Sequence, residues 1–243
     1  MNLTGEDYYK IGILFYIGEL TGTKNMTRGL NYLQQAISAG YGKAYDLILK
    51  STMVTHRSKI QNPFAFELAA IEIGSFRAYH ELSVLKNRKA FGRNVSPDVD
   101  KEINTALQNY TYSEKRQKQL YTLLNSQIKI SFDTTYDAKN KSASECFTQA
   151  LKYYTGEETG KQNTTKGREW LLAAKDKGST RAEELAYKPY TPLYATIESA
   201  KDGDIYAINK ITDLHHGGFL KDIVPDAELV EMAKKIVALG DIY

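Results

Sequence analysis

The chain holds a single cysteine, Cys146, in 243 residues. One thiol excludes an internal disulfide framework and any zinc site built on paired cysteines. Its 5 prolines and 1 tryptophan are equally sparse, and so few prolines leave long stretches free to run as helix. No window approaches the roughly 18 uncharged apolar residues of a membrane-crossing helix. Neither charge dominates: 32 basic and 29 acidic side chains give a net of +3, too small to point to nucleic acid by itself. Of the histidines His56, His80, His215 and His216, the adjacent pair cannot share one helix face, so i, i+4 metal chelation is missing. A leader pattern is missing too, because Glu6, Asp7 and Glu19 surround the short apolar run from Ile11 to Ile17. The expectation is a cytoplasmic chain, or a periplasmic one if a leader preceded residue 1.

What the chain has is glycine and tyrosine, 17 and 18 of them, in an otherwise ordinary globular composition with 42% apolar residues. Many of these glycines recur at fixed spacing. Residues 18–47 align without a gap onto residues 156–185 at a constant offset of 138, with 12 identities in 30 positions. Gly18, Glu19, Thr21, Gly22, Asn25, Thr27 and Gly29 meet Gly156, Glu157, Thr159, Gly160, Asn163, Thr165 and Gly167. Leu33, Ala36, Gly40, Ala44 and Leu47 meet Leu171, Ala174, Gly178, Ala182 and Leu185. This is a duplicated unit.

Asn25 and Asn163 each precede a helical pattern and read as N-caps rather than glycan acceptors, although both open an Asn-x-Thr triplet. The apolar face predicted for the first copy is Leu30, Leu33 and Ile37, and for the second Trp170, Leu171 and Ala174. Gly29 and Gly167 lie inside these helices at a cost of about 1 kcal/mol each relative to alanine. Close approach of a neighbouring helix is the expected compensation. Gly40 and Gly178 then end the helices. Weaker copies run Phe66, Ala69, Ala70, Gly74, Ala78, Leu82, with Asn62-Pro63 as cap and first turn, and Ala200, Gly203, Ala207, Ile211, His215, Gly218. A last one reads Met232, Ile236, Val237, Gly240, and Gly203-Asp204-Ile205-Tyr206 recurs as Gly240-Asp241-Ile242-Tyr243.

Residues 86–141 lack the repeat spacing. Ser96-Pro97 and Ser113-Glu114 open two helices there, the second striped by Leu120, Leu123, Leu124, Ile128 and Ile130. Residues 77–141 carry 12 basic and 7 acidic side chains, and Lys86, Arg88, Lys89 and Arg93 are the densest run. A solvated loop after a helix accounts for that run, with an acidic protein partner as the functional alternative. Cys146 reads as a buried small hydrophobe. Gly156…Gly160 and Gly217-Gly218 end helices instead of following strands, so a phosphate-cradling loop is unsupported.

The register resembles the Sel1-like repeat, a relative of the tetratricopeptide repeat. Ile11-Gly12, Phe15 and Gly18, and again Ala150, Tyr153 and Gly156, match the first half of that family's unit. Asn163, Lys166, Gly167, Trp170, Ala173, Ala174, Gly178 and Ala182 match the second half, with asparagine for the family's aspartate and glycine for its helix alanine. His215 stands at the family's tyrosine position. The resemblance covers roughly residues 5–85 and 142–243. It implies an all-α, right-handed α-solenoid of stacked antiparallel helix pairs, about 12–13 helices in one domain over residues 1–243. Residues 5–85 and 142–243 are its N-terminal and C-terminal repeats, and 86–141 a divergent basic helical insert.

Stacked pairs leave a concave face lined mainly by the first helix of each pair. Two and six residues after the repeat alanine, the positions expected to project there are Tyr9 and Ile13, Asp46 and Lys50, His80 and Val84, Phe147 and Leu151, Asn209 and Asp213. Aromatics beside mixed charges suit a protein partner. The resemblance implies a non-enzymatic adaptor, bacterial and monomeric, without cofactor, metal or catalytic residue. A concrete form is an immunity protein that neutralises a toxic effector, including effectors of type VI secretion. The alternatives are a cell-wall or β-lactam-acting enzyme, whose paired cysteines are missing here, and nucleic-acid binding through the basic insert.

Overall fold

The computed structural model describes residues 2–19, 24–52, 62–89, 91, 95–128, 137–157, 160–188, 190–216, 231, 234–236 and 238. Among these the regular structure is helical throughout, helix packed on helix, with no strand. The chain divides into two compact units, residues 1–125 and 126–243, so the division falls inside the segment without repeat spacing. The first unit contains α1 (Gly5–Ile17), α2 (Met26–Ser38), α3 (Gly42–Thr52), α4 (Ala65–Ile73), α5 (Phe76–Asn87), α6 (Pro97–Asn109) and α7 (Glu114–Asn125). The second contains α8 (Ala143–Thr155), α9 (Thr164–Asp176), α10 (Thr180–Ala186), α11 (Thr191–Lys201) and α12 (Ile205–His216).

The duplication is a duplication of geometry. Helices α1, α2 and α3 begin 138 residues before α8, α9 and α10. Asn25 Oδ1 accepts the Arg28 amide at 3.0 Å, and Asn163 Oδ1 accepts the Lys166 amide at 3.0 Å. The same two residues donate their own amides back to Phe15 O at 3.0 Å and Tyr153 O at 2.9 Å, which fixes the turn between the paired helices. Gly18 and Gly156 close α1 and α8 with φ of 76° and 91°, the left-handed region that glycine enters without penalty.

The likeness runs further upstream than the sequence identities. Thr4 and Ser142 cap α1 and α8 in matching capping boxes, with Asp7 and Glu145 three residues on. Helix contacts also repeat: α1 on α2 and α4, α2 on α3 and α3 on α4 correspond to α8 on α9 and α11, α9 on α10 and α10 on α11.

Close approach explains the helix glycines. A Cβ on Gly29 would lie 2.8 Å from both Gly12 O and Tyr16 Cβ, and one on Gly167 would lie 3.0 Å from the Tyr154 ring. The same closeness corrects the face predicted for α2. Its buried side is Gly29, Leu33 and Ala36, while Leu30 is 40% exposed, because the face turned to α1 is the one that carries Gly29. In α9 the expected Trp170, Leu171 and Ala174 are all buried.

The copy around Gly74 buries Phe66, Ala69, Ala70, Ala78 and Leu82 as its spacing predicts. Asn62 is not its N-cap. Helix α4 starts at Ala65, and Asn62 instead forms a local turn by accepting the Phe64 amide at 2.9 Å, while its Nδ2 donates to Glu102 at 2.8 Å. Ser96 and Ser113 cap α6 and α7 as expected, accepting the Val99 and Arg116 amides at 3.3 Å each. Ala200, Ala207 and Ile211 are buried, as is Ile236. The side chains of His215 and His216, Arg93, Ile130, and the residues Gly218, Met232, Val237 and 240–243 lie outside the described residues.

Candidate functional site

Helices α1, α3, α4, α6 and the start of α7 enclose a cleft of about 840 Å³ in the first unit. Its floor is apolar, alternating alanine with larger aliphatic side chains: Leu47, Ala65, Leu68, Ala69, Ile71 and Ala106. Alanine reaches this floor because α4 packs α1 and α6 closely, and each alanine leaves room above it. The walls are charged. Lys43, Asp46 and Lys50 stand at i, i+3 and i+7 along α3, facing Asp98, Lys101, Glu102 and Thr105 on α6.

Two ion pairs tie the walls. Lys50 reaches across to Glu102 Oε2 at 2.9 Å, and Asn62 Nδ2 donates to the same oxygen at 2.8 Å. Lys43 reaches Glu72 on α4 at 3.0 Å, and this hydrogen bond raises the Lys43 pKa above its ordinary value. Arg116 donates from α7 to the Glu72 carbonyl, and Tyr110 donates to the Gly74 carbonyl at 3.5 Å. Tyr9 lines the cleft from α1 with its ring 5.1 Å from that of Tyr41, the two tilted by 49°. Burial, then the nearby Glu72, Tyr41 and Asp46, hold its phenol well above the usual tyrosine range.

Of the residues read from the sequence as groove-facing, Tyr9, Asp46 and Lys50 come together here. Ile13 does not: it shares the Tyr9 face of α1 one turn on, but is 0% exposed, within the core. His80 lies on α5, away from the cleft, with its ring stacked on Phe76 at 6.2 Å. The expectation that first helices line the groove fails at α5, since α6 packs on α4 and supplies that wall. In the second unit Phe147 is 4% exposed beneath the Arg181 guanidinium, and Leu151 is buried at the edge of a smaller pocket of about 580 Å³. Asn209 and Asp213 are exposed on α12 and line neither cavity.

Sequence reasoning missed the α6 wall. Its signal was present as the charged spacing Asp98, Lys101, Glu102, Thr105 after the Ser96-Pro97 start. It also missed two buried charges. Glu19 accepts hydrogen bonds from Ser75 at 2.7 Å, Tyr121 at 3.2 Å and Gln117 at 3.3 Å. Arg168 donates to Thr191 Oγ1 at 3.2 Å and to the Ala186 carbonyl at 2.5 Å. Neither has a periodic signature, because partners distant in sequence decide their burial.

Among the described residues no group of His, Cys, Asp and Glu is placed to hold a metal ion, and no helix is long and apolar enough to cross a membrane. Cys146 is buried in the second unit, and burial pushes its thiol pKa up, away from the thiolate a nucleophile needs. Lys86, Arg88 and Lys89 are exposed at the end of α5. The cleft combines apolar recesses with charges of both signs, two of its ion pairs fixed between helices. Comparison of the chain with protein-family models, curated proteins and solved structures finds no match.

Proposed function

We propose that the chain is a non-enzymatic helical-repeat scaffold of Sel1-like type, its antiparallel pairs stacked as a right-handed solenoid, which binds a partner protein through the first unit's cleft. The observation that carries this reading is the cleft itself: an apolar floor between charged walls that Lys50–Glu102 and Lys43–Glu72 already hold in place. Apolar recesses ringed by charge take a partner's anchoring side chains and use the rim for selection. The repeated caps and glycine contacts favour the Sel1-like assignment, since that family's register places asparagine or aspartate, small residues and glycine at these points.

In its concrete form the protein is a monomeric bacterial immunity protein acting in the cytoplasm against a secreted effector, including one of type VI secretion. The test is affinity capture from the native cell with wild type and Asp46→Lys, paired with rescue of cells expressing neighbouring toxins. One protein retained by wild type and lost by the variant, and rescue by wild type alone, are the expected results. Identical retention by both overturns the cleft, and failure to rescue from every neighbouring toxin overturns the immunity role.

A further inference from the structure

The two lysines beside Asp46 ignore it. Lys43 stands three residues before Asp46 on α3 and Lys50 four after, both within helix-neighbour reach of its carboxylate. Each turns to another helix instead: Lys43 to Glu72 at 3.0 Å and Lys50 to Glu102 at 2.9 Å. Asp46 is thereby left exposed at the cleft with no ion pair or hydrogen bond to its side chain among the described residues.

A second observation is independent of that carboxylate. Tyr9 is 5% exposed, yet it lines the same cleft and its hydroxyl has no hydrogen-bond partner among the described residues. The hydroxyl oxygen keeps contact with solvent at the cleft, where a ligand group can take the place of water. Asp46 and Glu72 line the same cleft as Tyr9, and of these two carboxylates only Glu72 is paired, with Lys43. The second copy provides a contrast, because Phe147 replaces Tyr9 at the same register and the hydroxyl is lost.

Resting on the scaffold reading above, we infer that the Tyr9–Asp46 corner of the cleft receives an arginine or lysine side chain of the partner protein. Asp46 would accept the charged hydrogen bond and the Tyr9 oxygen a further one. The aliphatic stem would lie on Leu47 and Leu68. An acidic side chain is disfavoured there because it would face the unpaired Asp46 carboxylate, the Glu72 charge being matched by Lys43.

The probe is an array of random peptides of defined sequence, exposed to labelled full-length protein and to Asp46→Asn and Tyr9→Phe. Circular dichroism of each variant controls for folding. Wild type is expected to select peptides with a basic residue next to an apolar one. On a selected peptide, Asp46→Asn should weaken binding about tenfold, and replacing the peptide's arginine by citrulline should do the same. Tyr9→Phe should weaken it by a smaller factor. Selection of acidic or uncharged peptides, or basic selection unchanged in Asp46→Asn, overturns the inference and leaves the scaffold reading standing. Selection of no peptide overturns both.

Discussion

Glu19 and Glu157 share one register of the duplicated unit and meet opposite surroundings. Glu157 is exposed and lies 3.8 Å from Lys152, whereas Glu19 is 2% exposed among Ser75, Gln117 and Tyr121. The difference comes from α5 and α7, which close over the end of α1. Burial raises the Glu19 pKa, opposed by Arg77 and by the hydrogen bonds from Ser75 and Tyr121. The sign of its effect on stability follows. Between the ordinary carboxylate pKa and the raised one, the folded chain holds a proton that the unfolded chain has lost, so stability contributed by this group falls as pH rises through that window. Glu19→Gln removes the titration and keeps the shape. Its stability relative to wild type, from urea unfolding, is therefore expected to be more favourable at pH 7 than at pH 4. An equal difference at both pH values would show that the buried carboxyl does not titrate abnormally. No sequence pattern reveals this, since an acidic residue after a helix-ending glycine is ordinarily exposed.

At the scale of elements, the paired helices are set by small contacts repeated at one register. Gly29 admits the α1 backbone, with a Cβ there lying 2.8 Å from Gly12 O and 2.9 Å from Tyr16 Cα. Gly167 meets ring atoms of Tyr154 at 3.0 Å instead. Alanine gains about 1 kcal/mol of helix propensity at either position, against an overpacking cost of about 1–3 kcal/mol. A backbone cannot step aside as a ring can. Gly29→Ala is therefore expected to destabilise the protein by about 1–2 kcal/mol net, and Gly167→Ala by less. Urea unfolding followed by far-ultraviolet circular dichroism measures both, and a stabilised Gly29→Ala would refute the close-packing account. These contacts were legible in the sequence because a glycine conserved in register between two copies needs a steric reason. Leu30 was misread for the same cause: a period of 3.6 locates a face but not the distance of the helix beyond it. Arg168 shows where the copies diverge. At the register of exposed Leu30 it is buried, bound to the Ala186 carbonyl and Thr191 where α10 turns into α11.

At the scale of the molecule, the sequence reading is one continuous solenoid domain over residues 1–243, and the chain divides into two compact units between Asn125 and Ser126. The repeat spacing located most helices, since caps and glycines mark their ends locally. It did not show that α6 and α7 belong with the first copy, because that depends on which helix faces remain for them to cover. Half of the cleft wall was hidden for that reason. Residues 1–125 contain every partner named for Glu19, all the residues lining the larger cleft, and a core of their own that includes Ile11, Leu33, Ile103 and Tyr121. That length lies within the usual range for independently folding domains. Expressed alone, residues 1–125 are expected to give a helical circular dichroism spectrum and a cooperative urea transition. Because Trp170 lies in the other unit, the fragment has no tryptophan signal, and the transition must be followed by dichroism or tyrosine emission. A helical spectrum that fades without a sigmoidal transition would mean that this core is insufficient by itself. In that case the cleft would need the rest of the chain to keep its shape, and binding by the fragment would be lost together with its fold.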